Sequence, residues 1–163
     1  ARDKDAVAAT MFLCEAAAFY KTQGKTLWDA MLDLYERYGY YQDHVESITL
    51  KGIEGLEKIQ TILGTLRNDP PAAIGGYEVT AVRDYTADTV TDTKTKEVKP
   101  TGLPKSNVLY YELTDDAWVC VRPSGTEPKV KFYIGVKGVS MEDADAKSKD
   151  LGNAVLKLVE QLI

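Results

Sequence analysis

Apolar positions follow two different patterns along the chain. In residues 5–22, Val7, Met11, Phe12, Cys14, Phe19 and Tyr20 stand among alanines and cover most of a helical circumference. That pattern predicts a helix with neighbours on more than one side, stopped at Gly24. Thr26, with Asp29 three residues on in an imperfect capping box, opens a second helix. Its stripe is Leu27, Met31, Leu34 and Tyr38, and Gly39 ends it. Two short helices cannot cover each other's apolar surface. Residues 1–40 therefore read as the helical tail of a larger domain, and the chain, which starts at Ala1 without a methionine, as a fragment.

From Tyr41 the periodicity changes. Val45 to Leu50 reads as a strand, and residues 54–67 as a helix with Leu56, Ile59, Ile62, Leu63 and Leu66 inward. The stretch 68–76 holds two prolines and two glycines and is a connector. Tyr77–Tyr85 is a strand, and the threonine-rich stretch 86–106 is a surface loop with room for a short ribbon. Val108–Leu113 and Trp118–Val121 are strands joined by a tight turn at Thr114-Asp115-Asp116, and Val130–Val136 is another. Ser140 with Asp143 caps a last helix carrying Ala144, Leu151, Val155, Leu158 and Leu162. The order β-α-β4-α predicts an α+β domain over residues 41–163, an antiparallel sheet with its helices on one face.

Composition narrows the function classes. The chain of 163 residues can bury a core without a staple. Cys14 and Cys120 belong to no metal or redox spacing; they read as half-buried small hydrophobes and fit a reducing cytoplasm. The net charge of −5 is scattered, with no basic cluster interleaved with aromatics, so nucleic acid is not an expected partner. No apolar run reaches the length of a membrane span, and no membrane partner is expected.

The candidate chemistry lies in Arg122-Pro123-Ser124-Gly125-Thr126-Glu127-Pro128-Lys129, read as a loop between two strands. Arg122 offers a planar fork for two oxygens of one phosphate. Ser124 and Thr126 bring hydroxyls, and Gly125 lets backbone N–H groups approach an anion as a nest. Lys129 adds charge, and alternation puts Lys131 and Tyr133 on its side of the sheet. Glu127 would repel a bound dianion, so it is expected to turn away and pair with a backbone N–H or a base. The same residues also suit a plain turn, and on composition alone both readings stand. His44 reads as a solvated or packing residue. Asp84, Asp88 and Asp92 lack the fixed loop of a cation site. Tyr38, Tyr40 and Tyr41 read as packing between the helical tail and the following domain.

The string RPSGTEPK at 122–129 resembles the phosphate-binding loop of the α-D-phosphohexomutase superfamily, which includes phosphoglucomutases, phosphomannomutases and phosphoglucosamine mutases. Arg2–Ala6, KTQGKT at 21–26, YGYY at 38–41 and LPKSNVL at 103–109 are similar to the bacterial phosphoglucomutase branch related to phosphopentomutases. The resemblance implies that residues 1–40 end the third, α/β domain and that 41–163 form the fourth. It implies a phosphate site at Arg122, Ser124, Gly125, Thr126 and Lys129. It also implies a parent isomerase acting on glucose 1-phosphate and glucose 6-phosphate, through a phosphoserine, Mg2+ and a glucose bisphosphate intermediate.

The family's serine, magnesium and sugar loops have no counterpart among these residues, so no catalytic or metal residue is assigned and the isolated piece is expected to be inactive. Those loops would belong to upstream domains of the same chain. Phosphomannomutase, phosphopentomutase or phosphoglucosamine mutase specificity, or a non-catalytic phosphate-binding module, remain alternatives.

Overall fold

A computed structural model describes residues 4–50, 52–125 and 127–162. Thr126, and Arg2 and Asp3 of the N-terminal string, lie outside the described residues. The chain divides into two compact units, Ala1–Tyr40 and Tyr41–Ile163.

The first unit holds α1 (Ala6–Thr22) and α2 (Leu27–Tyr38). Asp5 caps α1 by accepting from the Ala8 N–H, and Thr26 with Asp29 forms both halves of a capping box on α2. No described residue of α1 is buried: Val7, Met11, Phe12, Leu13 and Phe19 are all exposed, and so is Cys14. This corrects the half-buried reading of Cys14, since a two-helix unit has no second layer to cover it. Only Ala30 is buried on α2, while its stripe of Leu27, Met31, Leu34 and Tyr38 stays exposed for the same reason. Tyr40 stacks on Tyr35 with ring centroids 5.6 Å apart.

The second unit is an α+β domain. Its elements are β1 (Tyr40–Thr49), α3 (Gly52–Asn68), β2 (Ala73–Ile74), β3 (Tyr77–Asp84), β4 (Thr89–Asp92), β5 (Val98–Lys99), β6 (Leu109–Leu113), β7 (Trp118–Pro123), β8 (Lys129–Gly138) and α4 (Met141–Glu160). The sheet runs β1-β8-β7-β6-β3-β4-β5, with β2 beside β3. Every pairing with a described register is antiparallel. β1 continues the pattern: the Leu50 N–H donates to the Pro128 carbonyl at one end, and Lys137 lies over the Tyr41 ring at the other. Three strands exceed the expected five. β4 and β5 are the short ribbon inside 86–106, and β2 is a two-residue pair too brief to show a period.

Alternation decides the faces. Leu109, Tyr111, Leu113, Val119, Val121, Val130, Phe132, Ile134 and Val136 point to one side and join Ile59, Ile62, Leu63 and Leu66 of α3 with Leu151, Val155 and Val159 of α4 in one core. Both helices therefore cover the same face. Leu56, expected inward on α3, is exposed, one turn short of the sheet. The end of α3 is anchored twice: the Tyr111 hydroxyl donates to the Leu66 carbonyl at 2.9 Å, and Arg67 Nε donates to Asp84 at 2.9 Å. The first bond satisfies one of the carbonyls a helix end leaves open. His44 bonds Glu46 at 2.7 Å and lies against Gly152, a packing position.

Candidate phosphate cradle

The uncovered face carries the opposite set of the same strands: Tyr110, Trp118, Cys120, Arg122, Lys131, Tyr133 and Lys137. Register partners are Arg122 with Lys131, Cys120 with Tyr133 and Trp118 with Gly135. Trp118 lies flat on β8 at Gly135, where an added Cβ would collide with the indole, and stacks on Tyr110 with centroids 5.4 Å apart. Arg83 sits 5.6 Å over the Tyr110 ring and pairs with Glu112.

At the end of this face a half-open cavity of about 290 Å³ is lined by Arg122, Pro123, Ser124, Gly125, Lys131 and Tyr133. Strand β7 carries Arg122 and Pro123, which corrects their placement in a loop: cross-strand pairing with Lys131 and Val130 extends β7 two residues past Val121. Proline is tolerated at such a strand end because its missing N–H removes little from the ladder. Lys129, likewise, is the first residue of β8. It is half-buried and is not among the residues lining the cavity.

The remaining loop closes on itself. The Ser124 N–H donates to the Lys129 carbonyl at 2.7 Å, the Lys129 N–H to the Glu127 carbonyl at 2.7 Å, and the Glu127 N–H to Ser124 Oγ at 3.3 Å. The Ser124 and Glu127 N–H groups are thus engaged within the loop itself. Gly125 needs no special backbone: it is not among the left-handed residues, and a Cβ there would meet no protein atom. Neither strain nor crowding within the chain asks for glycine, and open space lies where a side chain would be. Glu127 is exposed, and its carboxylate has no partner among the described residues, so the expected pairing is not found.

The electrostatics set this end apart. Like charges placed directly opposite on neighbouring strands repel. Arg122 and Lys131 nonetheless face each other, and neither has an ion pair among the described residues. Two other cations on the strands of this sheet are matched, Arg83 by Glu112 and Lys137 by Asp116 at 3.2 Å, while Lys129 at the start of β8 has no ion pair among the described residues. Two facing cations beside a cavity attract an anion more strongly than either would alone. Cys120, beside Tyr133, has its thiol pushed up by burial, with Arg122 opposing, so it is no activated nucleophile.

The acidic residues form no cation site. Asp84 accepts from Arg67 and the Thr86 N–H, Asp88 from the Thr101 N–H and hydroxyl, and Asp92 from the Lys94 and Thr95 N–H groups. Asp84 and Asp92 close their own turns, and Asp88 ties its turn to the segment at Thr101 and Gly102. Among the described residues no group of three or more His, Cys, Asp or Glu is arranged to hold a metal. No described helix is long and apolar enough to cross a membrane.

Residues 76–147, which contain the cradle, match the family described as phosphoglucomutase/phosphomannomutase, C-terminal domain. Phosphoglucomutases of Staphylococcus aureus strains bovine RF122 / ET3-1 and MRSA252 are each 38% identical over 146 residues, 90% of this chain. The chain spans 26% of the length of those relatives. A solution structure of Chr148 from Cytophaga hutchinsonii covers 76% of this chain and 90% of its own, with a TM-score of 0.30 and 11% identity, too distant to carry an argument. Residues 76–147 thus carry the C-terminal domain of the phosphoglucomutase/phosphomannomutase family, and the likeness to phosphoglucomutases runs along nine-tenths of the chain.

Proposed function

We propose that this chain is the phosphate-gripping part of a phosphoglucomutase that interconverts glucose 1-phosphate and glucose 6-phosphate. Residues 41–163 are the C-terminal domain, and residues 1–40 are the helical tail of the domain before it. In this reading the cradle holds the phosphate that is not reacting, while a phosphoserine elsewhere in the protein exchanges phosphoryl groups with the sugar through a glucose bisphosphate.

The observation that carries the reading is the facing pair Arg122 and Lys131, both without a carboxylate partner among the described residues, over a cavity bounded by Ser124 and Gly125. The Arg122 fork can donate two parallel bonds to phosphate oxygens, Lys131 adds a point charge from the opposite strand, and the Ser124 side adds polar surface. Strand pairing fixes the backbones of Arg122 and Lys131 before the substrate arrives, so mainly their side chains have to be ordered on binding. Binding strength at a distant phosphate is then used to orient the reacting end. Either phosphate of the bisphosphate fits, since the cradle recognises the group and not the carbon bearing it. Mg2+ would offset charge at the transferring group, and the family resemblance assigns its ligands to upstream domains of the full-length protein.

The test is steady-state kinetics on the full-length protein. Arg122→Ala is expected to lose roughly 2 kcal/mol, about thirtyfold in kcat/KM, the scale of a charge-assisted bond. Part of that loss should appear in kcat, because orientation as well as affinity is removed. Arg122→Lys should recover only a fraction, lacking the bidentate fork. Values within twofold of the parent would make the hairpin a structural turn. The 163-residue chain alone is expected to show no mutase turnover.

A further inference from the structure

The cradle is longer than a phosphate group requires, and its far wall is aromatic. Resting on the phosphate reading above, we propose that Tyr133 is a specificity residue that holds the organic part of the ligand, so that the site takes a sugar or polyol phosphate monoester in preference to phosphate alone.

Size gives the first argument. The cavity measures about 290 Å³. A water molecule claims about 30 Å³ of liquid, so the cavity has room for about ten heavy atoms, and a phosphate group supplies only five. The second argument is the separation of charge from aromatic surface. Arg122 and Lys131 are register partners at one end, and Tyr133 lies two residues further along β8 on the same face. Two residues of strand span about 7 Å, which puts the ring beyond the phosphate oxygens and beside whatever the ester oxygen carries.

The third argument is that this far end is neutral. Among the described residues, Arg122 and Lys131 are the only charged ones lining the cavity, and the register partner of Tyr133 is Cys120, whose thiol burial keeps protonated. A dianionic head with an uncharged body of C–H and O–H groups matches that division. The Tyr133 hydroxyl makes no hydrogen bond among the described residues, so it can serve a ligand hydroxyl while the ring packs against C–H groups.

Amide-detected NMR titrations of the chain with glucose 1-phosphate, glucose 6-phosphate and inorganic phosphate, at matched pH and ionic strength, test this. The sugar phosphates should bind about three- to tenfold more tightly than inorganic phosphate, the range one aromatic contact supplies. Tyr133→Leu should bring that ratio to about one, and Tyr133→Phe should keep most of it. Arg122→Ala should weaken all three ligands together. If Arg122→Ala weakens none, the phosphate reading itself falls. If it weakens all three while Tyr133→Leu keeps the ratio, only the role of Tyr133 is wrong. A wild-type ratio of one overturns that role too. Nuclear Overhauser contacts between the Tyr133 ring and sugar C–H protons in the unaltered chain give a readout independent of how variants fold; their absence at saturation overturns the proposal.

Discussion

The two faces of the β7–β8 hairpin are built from alternate residues of the same strands, yet they answer to different demands. On the covered face, Val119, Val121, Val130, Phe132 and Ile134 are buried against α3 and α4 and differ only in shape. On the open face, Cys120, Arg122, Lys131 and Tyr133 leave a like-charge pair uncompensated and a cavity unfilled. A chain optimised for stability alone would match those cations, as it does at Arg83 and Lys137. The contrast separates side chains that hold the sheet together from side chains held by it, and the proposed site lies where local stability has been given up.

Neighbouring residues on β8 should therefore respond in opposite ways. Phe132→Ala removes a fully buried ring and is expected to cost about 3–5 kcal/mol in urea unfolding. Lys131→Ala, one residue away, should fall within about 0.5 kcal/mol of the parent, and on the stabilising side at low salt once its repulsion with Arg122 is gone. Equal losses at the two positions would erase the distinction between the faces.

The open face has one packed element, and Gly135 tests its extent. A methyl group there meets the Trp118 indole, a rigid ring already stacked on Tyr110. Gly135→Ala should cost about 1–3 kcal/mol, the usual penalty for overpacking. A neutral result would mean that the aromatic stack moves freely.

A smaller effect belongs to the covered face. Burial raises the Tyr111 hydroxyl well above the ordinary tyrosine value near 10. Above that pH the unfolded chain has given up its proton while the folded chain keeps it, so the unfolded state binds fewer protons and stability falls as pH rises. Tyr111→Phe should remove this part of the alkaline slope and, at neutral pH, cost about 1 kcal/mol for the lost bond to the Leu66 carbonyl. An unchanged slope between pH 9 and 11 would show that the hydroxyl reaches solvent.

What could be read from the sequence was what local chemistry decides. Ser140 and Asp143 announce the start of α4, and they cap it as written: the Asp143 N–H donates to Ser140 Oγ, and Asp143 accepts from the Val139 N–H. The Asp115-Asp116 turn shows both residues at positive φ, the conformation a two-residue hairpin needs. Alternation also placed Lys131 and Tyr133 on one side of the sheet, and both line the cavity together with Arg122. The misreadings share a cause in pairings that exist only once the chain has folded. Arg122 and Pro123 resemble loop residues until Lys131 and Val130 pair with them. The Ser124 N–H is used by loop closure onto the Lys129 carbonyl. Which arginine lacks a partner is a fact of three dimensions: Arg67 reaches Asp84 and Asn107 across 17 and 40 residues, and Arg122 reaches no carboxylate among those described.

The central claim is that the Arg122–Lys131 pair is an anion site held ready at a cost in repulsion. Thermal unfolding of the chain in phosphate against chloride, at constant ionic strength, tests it most directly. A ligand that binds only the folded state raises the midpoint as its concentration passes the dissociation constant. The midpoint of the parent should rise with phosphate, and Arg122→Ala should lose most of that rise. What remains in the variant measures the general salting effect of phosphate on burial. An equal rise in parent and variant, or none in either, would contradict the account.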